Sequence, residues 1–324
     1  MNIDAKALRI VFMGTPEFAV ASLRALKEEG YNIVGVITAP DKPAGRGQKL
    51  SISAVKQYAV AENLKVLQPE RLKDPQFLEQ LASLRPDLQI VVAFRMLPEL
   101  VWQLPPLGTF NLHASLLPQY RGAAPINWAV MNGEVETGLT TFLLTHEIDT
   151  GQILFQERYP IHYDDTAGDV YARLMNGGAS LVLHTVNALA AGTIVPKLQE
   201  VEDAAALCAA PKLHRDTLQI NWNRSAKDVR NHIRGLSPYP GAWTLMADVG
   251  SSADRLEIKI YQADLVEHPL DAPGSVQTDG KIHLYIACSD GWLSVNELQL
   301  AGKRRMHIAE VLRGFSGFSN SRFI

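Results

Sequence analysis

The first half of the chain repeats one arrangement: a short apolar run with little polar alternation, followed by a segment of helical spacing. The runs are "LRIVFMG" (residues 8–14), "YNIVGVIT" (31–38), "LKVLQ" (64–68) and "LQIVVAF" (88–94). A strand that is apolar on both faces has to be covered on both, the condition met by a parallel sheet between helices. In "TPEFAVASLRALKEEG" (15–30), Ala19, Leu23 and Leu26 share one helical face. Thr15 is placed to cap that helix, Pro16 fits its first position, and Gly30 closes it. "DPQFLEQLASLRP" (74–86) supplies another helix, and residues 167–192 form a long amphipathic one. "GTFNLH" (108–113), "GLTTFLLT" (138–145) and "GQILFQERYPI" (151–161) extend the sheet. The expectation is an α/β N-terminal domain over residues 1–193, with a mostly parallel, Rossmann-like sheet.

After Gly192 the pattern changes. Residues 193–216 carry two prolines and no strand periodicity, so 194–212 read as a linker with one helical turn at most. Beyond it, a helix at "SAKDVRNHIRGL" (225–236) precedes short strand candidates split by turns: 241–247, 255–266, 274–278, 281–288 and 291–300. Spacing of this kind suits a small β-barrel or a sandwich; a C-terminal β-barrel of OB-like form over residues 213–324 is expected. A chain of 324 residues is long enough for two such cores.

Composition removes several classes. The net charge of −3 excludes a protein that is basic overall, although a local basic face can still serve RNA. Cys208 and Cys288 form neither a disulfide framework nor a metal-binding spacing, so a reducing cytoplasm and no metal are expected. The opening "MNIDAKALRIVFMG" reads as a first strand in place of a signal peptide, and no apolar run reaches the ~18 residues that span a bilayer. The first strand–helix turn, "FMGTPEF", has one glycine where a dinucleotide fingerprint needs three, which argues against NAD.

The chemistry gathers at "FNLHASLLPQYRGAAPINW" (110–128). Asn111 and His113 lie two residues apart, so on a strand both point to one face. Such a pair can also be no more than a polar strand end. Asp149, in the turn "LTHEIDTGQIL", shifts that balance, because strand-end loops of a parallel sheet converge on one crevice. An amide that donates, an imidazole that carries a proton and a carboxylate that orients it suit acyl transfer. No Ser sits in a G-x-S-x-G elbow and neither Cys lies in this half, which favours direct attack by a substrate amine over an acyl-enzyme. His146 reads as a solvated loop histidine.

"FMGTPEFA", "PDKPAGRGQKL", "NLHASLLPQYRGAAPINWA" and "EIDTGQIL" occur in this order, and together they resemble the bacterial methionyl-tRNA formyltransferases of the 10-formyltetrahydrofolate-dependent formyltransferase superfamily. The resemblance runs from the first strand into the C-terminal barrel. It implies transfer of the formyl group of 10-formyltetrahydrofolate to the α-amine of methionyl initiator tRNA through a tetrahedral oxyanion. In that reading Asn111 and His113 donate to the oxyanion, and Asp149 holds His113 and helps relay the amine's proton. It further implies a folate site made by Phe94, Arg95, Leu97, Ser115, Leu116, Leu117 and Pro118. A tRNA-contacting loop over residues 39–50 would carry Lys42, Arg46 and Lys49, with Arg46 the key contact.

The region 213–324 holds 13 Lys/Arg and 12 Asp/Glu, a net of +1 that would not by itself point to RNA. Its local clusters are more suggestive: Lys212 and Arg215 at the linker exit, and Lys303, Arg304 and Arg305 in "AGKRRMH". Given the resemblance, these are candidate contacts to the tRNA backbone. A monomer is expected. Two alternatives stay open at this point: a folate-dependent formyltransferase acting on an amino-sugar nucleotide, and a catalytically silent tRNA-binding protein. A related hydrolase that releases formate would need water in the crevice in place of an amine.

Overall fold

Each apolar run becomes a strand. The computed structural model describes residues 3–44, 49–201, 203–248, 255–319 and 321–324. In chain order the first elements are β1 (Ile10–Gly14), α1 (Glu17–Glu28), β2 (Ile33–Ile37), β3 (Lys42–Ala44), β4 (Lys49–Ser51), α2 (Ala54–Ala61), β5 (Val66–Leu67), α3 (Pro75–Ser83), β6 (Leu88–Val92) and α4 (Glu99–Trp102). Then come β7 (Thr109–His113), β8 (Arg121–Gly122), α5 (Pro125–Met131), β9 (Glu136–Leu143), β10 (Ile153–Pro160) and α6 (Ala167–Ala191). The chain continues with β11 (Ala209–Ala210), α7 (Ala226–Gly235), β12 (Ala242–Asp248), β13 (Arg255–Val266), β14 (Val276–Thr278), β15 (Leu284–Ala287), β16 (Trp292–Leu300), β17 (Met306–His307), α8 (Ile308–Gly314) and β18 (Ser321–Phe323).

These elements form two compact units that interleave along the chain. One comprises Met1–Gly122, Thr137–Pro160 and Tyr171–Ala209; the other comprises Ala123–Glu136, Ile161–Val170 and Ala210–Ile324. Residues 123–136 and 161–170, which precede the expected linker, thus pack within the second unit.

The first unit is built on a sheet ordered β10-β9-β7-β6-β1-β2-β5. Its β1–β2, β1–β6, β2–β5 and β6–β7 pairs are parallel, whereas β7–β9 is antiparallel. Both faces of β1 are covered, as its unbroken apolar run requires: Ile10, Val11, Phe12 and Met13 are all shut off from solvent. Ala19, Leu23 and Leu26 are buried on α1, as their spacing predicts. That helix starts one position later than expected. Pro16 takes the capping position with no side-chain bond, so Thr15 does not cap it. Gly14, the lone glycine of the first turn, serves packing, since a Cβ there would lie 2.6 Å from Ala19 Cβ. The segment read as a plain loop over residues 39–50 contains a short hairpin, with Lys42 opposite Ser51 and Ala44 opposite Lys49.

The second unit carries an antiparallel sheet ordered β14-β15-β16-β13-β12-β18, with β17 added on β16. Its ends approach each other: Ser275, beside β14, bridges to Arg322 of β18, and Phe323 N donates to Gly274 O at 2.9 Å. The sheet is therefore a nearly closed barrel, which leaves little strand edge exposed. Ile258, Ile260, Leu293 and Leu298 fill it together with Val229 and Ile233 of α7 and Ile308 and Val311 of α8. Burying each such side chain is worth about 1.5–3 kcal/mol. Ser225 caps α7 by accepting from Asp228 N. Asn127 of α5 donates to the last carbonyl of that helix, Gly235 O, at 2.8 Å.

Candidate active site

Strand β7 is flanked by β6, with Asn111 beside Val91, and by β9, with Asn111 beside Phe142 and His113 beside Thr140. Strand alternation puts Asn111 and His113 on the same face, as their spacing predicts. His113 is only 6% exposed. Its Nε2 lies 2.9 Å from the Tyr120 carbonyl. A carbonyl can only accept, so Nε2 carries a hydrogen and Nδ1 is the nitrogen left for chemistry. Nδ1 faces Asp149 Oδ2 at 3.9 Å, beyond a hydrogen bond but close enough for charge to act. Asn111 has a buried Oδ1 with no protein partner. A buried amide oxygen in that condition marks a place where a ligand's N–H or O–H fits.

Asp149 reaches this point by an unexpected route. Its turn leaves β9, which is antiparallel to β7, and does not come from the carboxyl end of a parallel strand. Asp149 itself adopts φ 55°, a left-handed backbone uncommon for a non-glycine residue. Its Oδ2 accepts from Gly122 N at 2.9 Å. At Gly151 a Cβ would fall 1.6 Å from Leu143 O, so no side chain fits there without opening the turn. Of the four further non-glycine residues that are left-handed among the described residues of this unit, Ala93 (φ 47°) follows β6 and Tyr120 (φ 59°) follows β7, while Asn63 and Arg85 lie elsewhere. Such conformations cost about 1–3 kcal/mol each and persist where the surroundings hold them, often at functional sites.

The segment after β7 is pinned from below. Thr140 Oγ1 donates to Ser115 O at 2.7 Å and accepts from Leu117 N at 3.2 Å and Gln156 Nε2 at 3.0 Å. Ser115 is fully buried and its hydroxyl donates to Gln119 O. Leu117 is 3% exposed, while Leu116 and Pro118 are half-buried. Of the expected folate residues on the loop between β6 and α4, Phe94 packs half-buried against a core that includes Leu97 and Val101. Arg95 turns the other way: its guanidinium donates to Glu70 O at 2.8 Å and to Pro69 O, and lies 5.7 Å from the Phe94 ring. Burial lowers the Arg95 pKa. His146 is exposed, as expected, yet it pairs with Glu99 at 3.1 Å and meets Trp102 edge-on.

The expected RNA contacts are placed as follows. Lys42 is exposed at the start of β3, and Lys49 opens β4. Arg46 lies outside the described residues. In the second unit, Lys212 is exposed and Arg215 pairs with Glu257 while lying 4.5 Å from the Trp243 ring. Lys303, Arg304 and Arg305 are exposed between β16 and β17. Arg304 pairs with Glu310 at 3.2 Å and Arg305 with Glu297, its guanidinium 4.6 Å from the Tyr261 ring. Exposed ion pairs of this kind are worth about 0–1 kcal/mol, so a phosphate can displace them. Among the described residues no group of three or more His, Cys, Asp or Glu side chains is placed to hold a metal ion, and no helix is long and apolar enough to cross a membrane.

Comparison with known proteins bears directly on this arrangement. Residues 8–186 match the family model for formyl transferase, and residues 212–316 match that for the formyl transferase C-terminal domain. A methionyl-tRNA formyltransferase of Parabacteroides distasonis is 58% identical over 313 residues, covering 95% of this chain and 96% of that one. The chain belongs to the methionyl-tRNA formyltransferase family. A further member, from Flavobacterium johnsoniae, is 49% identical and covers 95% of this chain and 96% of its own. Among solved structures, an N-formyltransferase of Helicobacter canadensis in complex with folinic acid and dTDP-3-aminofucose shares the fold, with a TM-score of 0.62 at 20% identity, covering 92% of this chain and all of that one. HypX of Aquifex aeolicus in complex with tetrahydrofolic acid does so with a TM-score of 0.61 at 21% identity, covering 94% of this chain and 47% of that one.

Sequence reasoning missed the residues that hold the segment after β7 and the Asp149 turn in place. Thr140, Gln156 and Gln119 act on the segment after β7, and Gln199 acts on the Asp149 turn. A lone polar residue in a strand or linker carries no motif, and its partner is known only once the chain has folded.

Proposed function

We propose that this chain transfers the formyl group of 10-formyltetrahydrofolate to the α-amine of methionyl initiator tRNA, giving N-formylmethionyl-tRNA for translation initiation. Near-full-length identity to methionyl-tRNA formyltransferases carries the reading, and the Asn111, His113 and Asp149 arrangement supports it chemically. The likeness to a sugar formyltransferase, at 20% identity, bears on the fold alone.

In the reaction, the amine lone pair attacks the formyl carbon and the carbonyl π pair moves onto oxygen. Asn111 Nδ2 donates to that oxyanion, and the otherwise unpartnered Oδ1 accepts an N–H of the attacking amine. In this mechanism His113 presents an Nδ1–H, with the Asp149 carboxylate 3.9 Å away. The 3.9 Å gap leaves that N–H free to meet the oxyanion or a bridging water. Collapse then re-forms the carbonyl and breaks the bond to the folate nitrogen. Asp149 relays the amine's proton to the folate nitrogen, so tetrahydrofolate leaves protonated and the enzyme returns to its starting state. Direct attack needs no enzyme nucleophile, and the Ser115 hydroxyl is already committed to Gln119 O.

The folate site draws on Phe94, Arg95, Leu97, Ser115, Leu116, Leu117 and Pro118. With the Ser115 hydroxyl committed and Leu117 buried, these two act by shaping backbone, while Leu116 and Pro118 offer contact surface. Initiator tRNA is contacted by Lys42, Arg46 and Lys49 and by Lys212, Arg215, Lys303, Arg304 and Arg305, with catalysis assigned to 1–193, a linker to 194–212 and tRNA binding to 213–324. The protein works as a cytoplasmic monomer. Incubation with 10-formyltetrahydrofolate and methionyl initiator tRNA is expected to yield N-formylmethionine; formylation of an amino-sugar nucleotide alone, or of neither acceptor, would refute the reading.

A further inference from the structure

The turn that carries Asp149 is gripped by a residue of the segment read as linker. Lys197 and Ile153 exchange backbone bonds of 2.7 and 2.9 Å. This pairing sets the Gln199 side chain beside the turn. Its Nε2 donates to the carbonyls of Asp149 and Gly151, each at 2.8 Å. Its Oε1 accepts from Arg121 Nε at 3.1 Å and Nη2 at 2.6 Å. A primary amide has two donor hydrogens and two acceptor lone pairs, so its capacity is filled. The next residue after Arg121 is Gly122, whose N–H holds the Asp149 carboxylate. Both the left-handed backbone of Asp149 and its side chain are therefore tied to β8, one through Gln199 and one through Gly122.

We infer that Gln199 is a positioning residue of the formyl transfer: it touches no substrate and sets the Asp149 carboxylate at its distance from His113 Nδ1. This rests on the function proposed above. An amide is needed for the task. Arg121 would donate to a carboxylate equally well, but two backbone carbonyls require N–H donors. Gln199→Glu keeps the shape and the Arg121 pair while setting an anion against the two carbonyl oxygens. Gln199→Met keeps the length and loses both halves of the clamp. Arg121→Met loses only the Arg121 half.

The test measures steady-state formylation of methionyl initiator tRNA by the whole protein and the three variants, with kcat and KM for each substrate, active-site titration and melting temperature. In Gln199→Glu and Gln199→Met, kcat is expected to fall by about 10- to 100-fold, the scale on which an ångström of misplacement acts. KM for both substrates should stay within about 3-fold, because the lost interaction is one that matters in the transition state. Arg121→Met should lose less than Gln199→Glu. A structural role alone would lower the active fraction or melting temperature and leave kcat per active site unchanged, and that result overturns the inference. So does an unchanged kcat in Gln199→Glu, which retains the Arg121 pair and decides the matter if Gln199→Met does not fold. A wild-type protein that formylates no tRNA overturns the proposed function and the inference together; an active wild type with unaffected variants overturns only the inference.

Discussion

Replacing Thr140 by Val removes a hydroxyl and little else, so it isolates what holds the segment after β7. Thr140 is fully buried, and its hydroxyl serves Ser115 O, Leu117 N and Gln156 Nε2 at once. In the valine variant Gln156 keeps its bond of 2.8 Å to Leu117 O. Ser115 O and Leu117 N lose the bonds that Thr140 made, at residues that are themselves buried. Each buried group left without a partner costs about 1–3 kcal/mol, and two give about 2–6 kcal/mol. The added methyl returns about 1 kcal/mol through apolar burial. The net loss is about 1–5 kcal/mol. Thr140→Ser keeps the hydroxyl and should lose about 1 kcal/mol for the missing methyl. Amide hydrogen exchange read on peptides covering residues 115–120 and 136–143 measures the local opening free energy. The valine variant should exchange faster than the serine variant there, and its KM for 10-formyltetrahydrofolate should rise. Equal or greater protection in the valine variant would refute the argument that this hydroxyl pins the segment.

Asn111→Ala and His113→Ala should each lower turnover by at least ~10² while leaving tRNA affinity nearly unchanged, as removal of an oxyanion donor does; single-turnover kinetics and a binding titration check this, and wild-type turnover in both removes the mechanism. Arg46→Ala should weaken selection of initiator tRNA far more than folate binding, read as kcat/KM across charged tRNAs; unchanged selectivity sinks the assignment of that loop. His232 on α7 has its pKa lowered to about 4, first by burial, partly opposed by its bond to the Leu218 carbonyl. Between pH 6.5 and 4 the unfolded chain takes up a proton that the folded chain refuses. Stability is therefore lost as pH falls through that window, by about 3 kcal/mol in all. Denaturant midpoints should show this limb in the wild type and its loss in His232→Gln; an identical limb in both assigns it elsewhere.

Much of the fold was legible because hydrophobic periodicity is a local signal. The unbroken run at β1 required cover on both faces, and the structure supplies it. Asp74, placed just before Pro75 in the predicted second helix, caps α3 through the N–H groups of Gln76 and Phe77. The Asn111 and His113 pair was legible for the same reason, since alternation along one strand depends on nothing distant. The start of α1 was misplaced by one residue: Pro16 keeps an extended backbone and takes the capping position with no side-chain bond, although threonine is the better capping residue. The hairpin of β3 and β4 was hidden in a segment whose Gly and Pro content reads as loop.

By itself, then, the sequence determined strands β1, β2, β6 and β7 and helices α1, α3, α6 and α7, the shared face of Asn111 and His113, and the family to which the motifs belong. The tertiary structure alone decided the antiparallel entry of β9, the closing of the barrel by Ser275 and Arg322, and the 3.9 Å between His113 and Asp149. It also decided that Gln199 would meet Arg121 across 78 residues of chain. Periodicity is set by neighbours three or four residues away, but a hydrogen bond across such a separation exists only after packing has brought its two ends together.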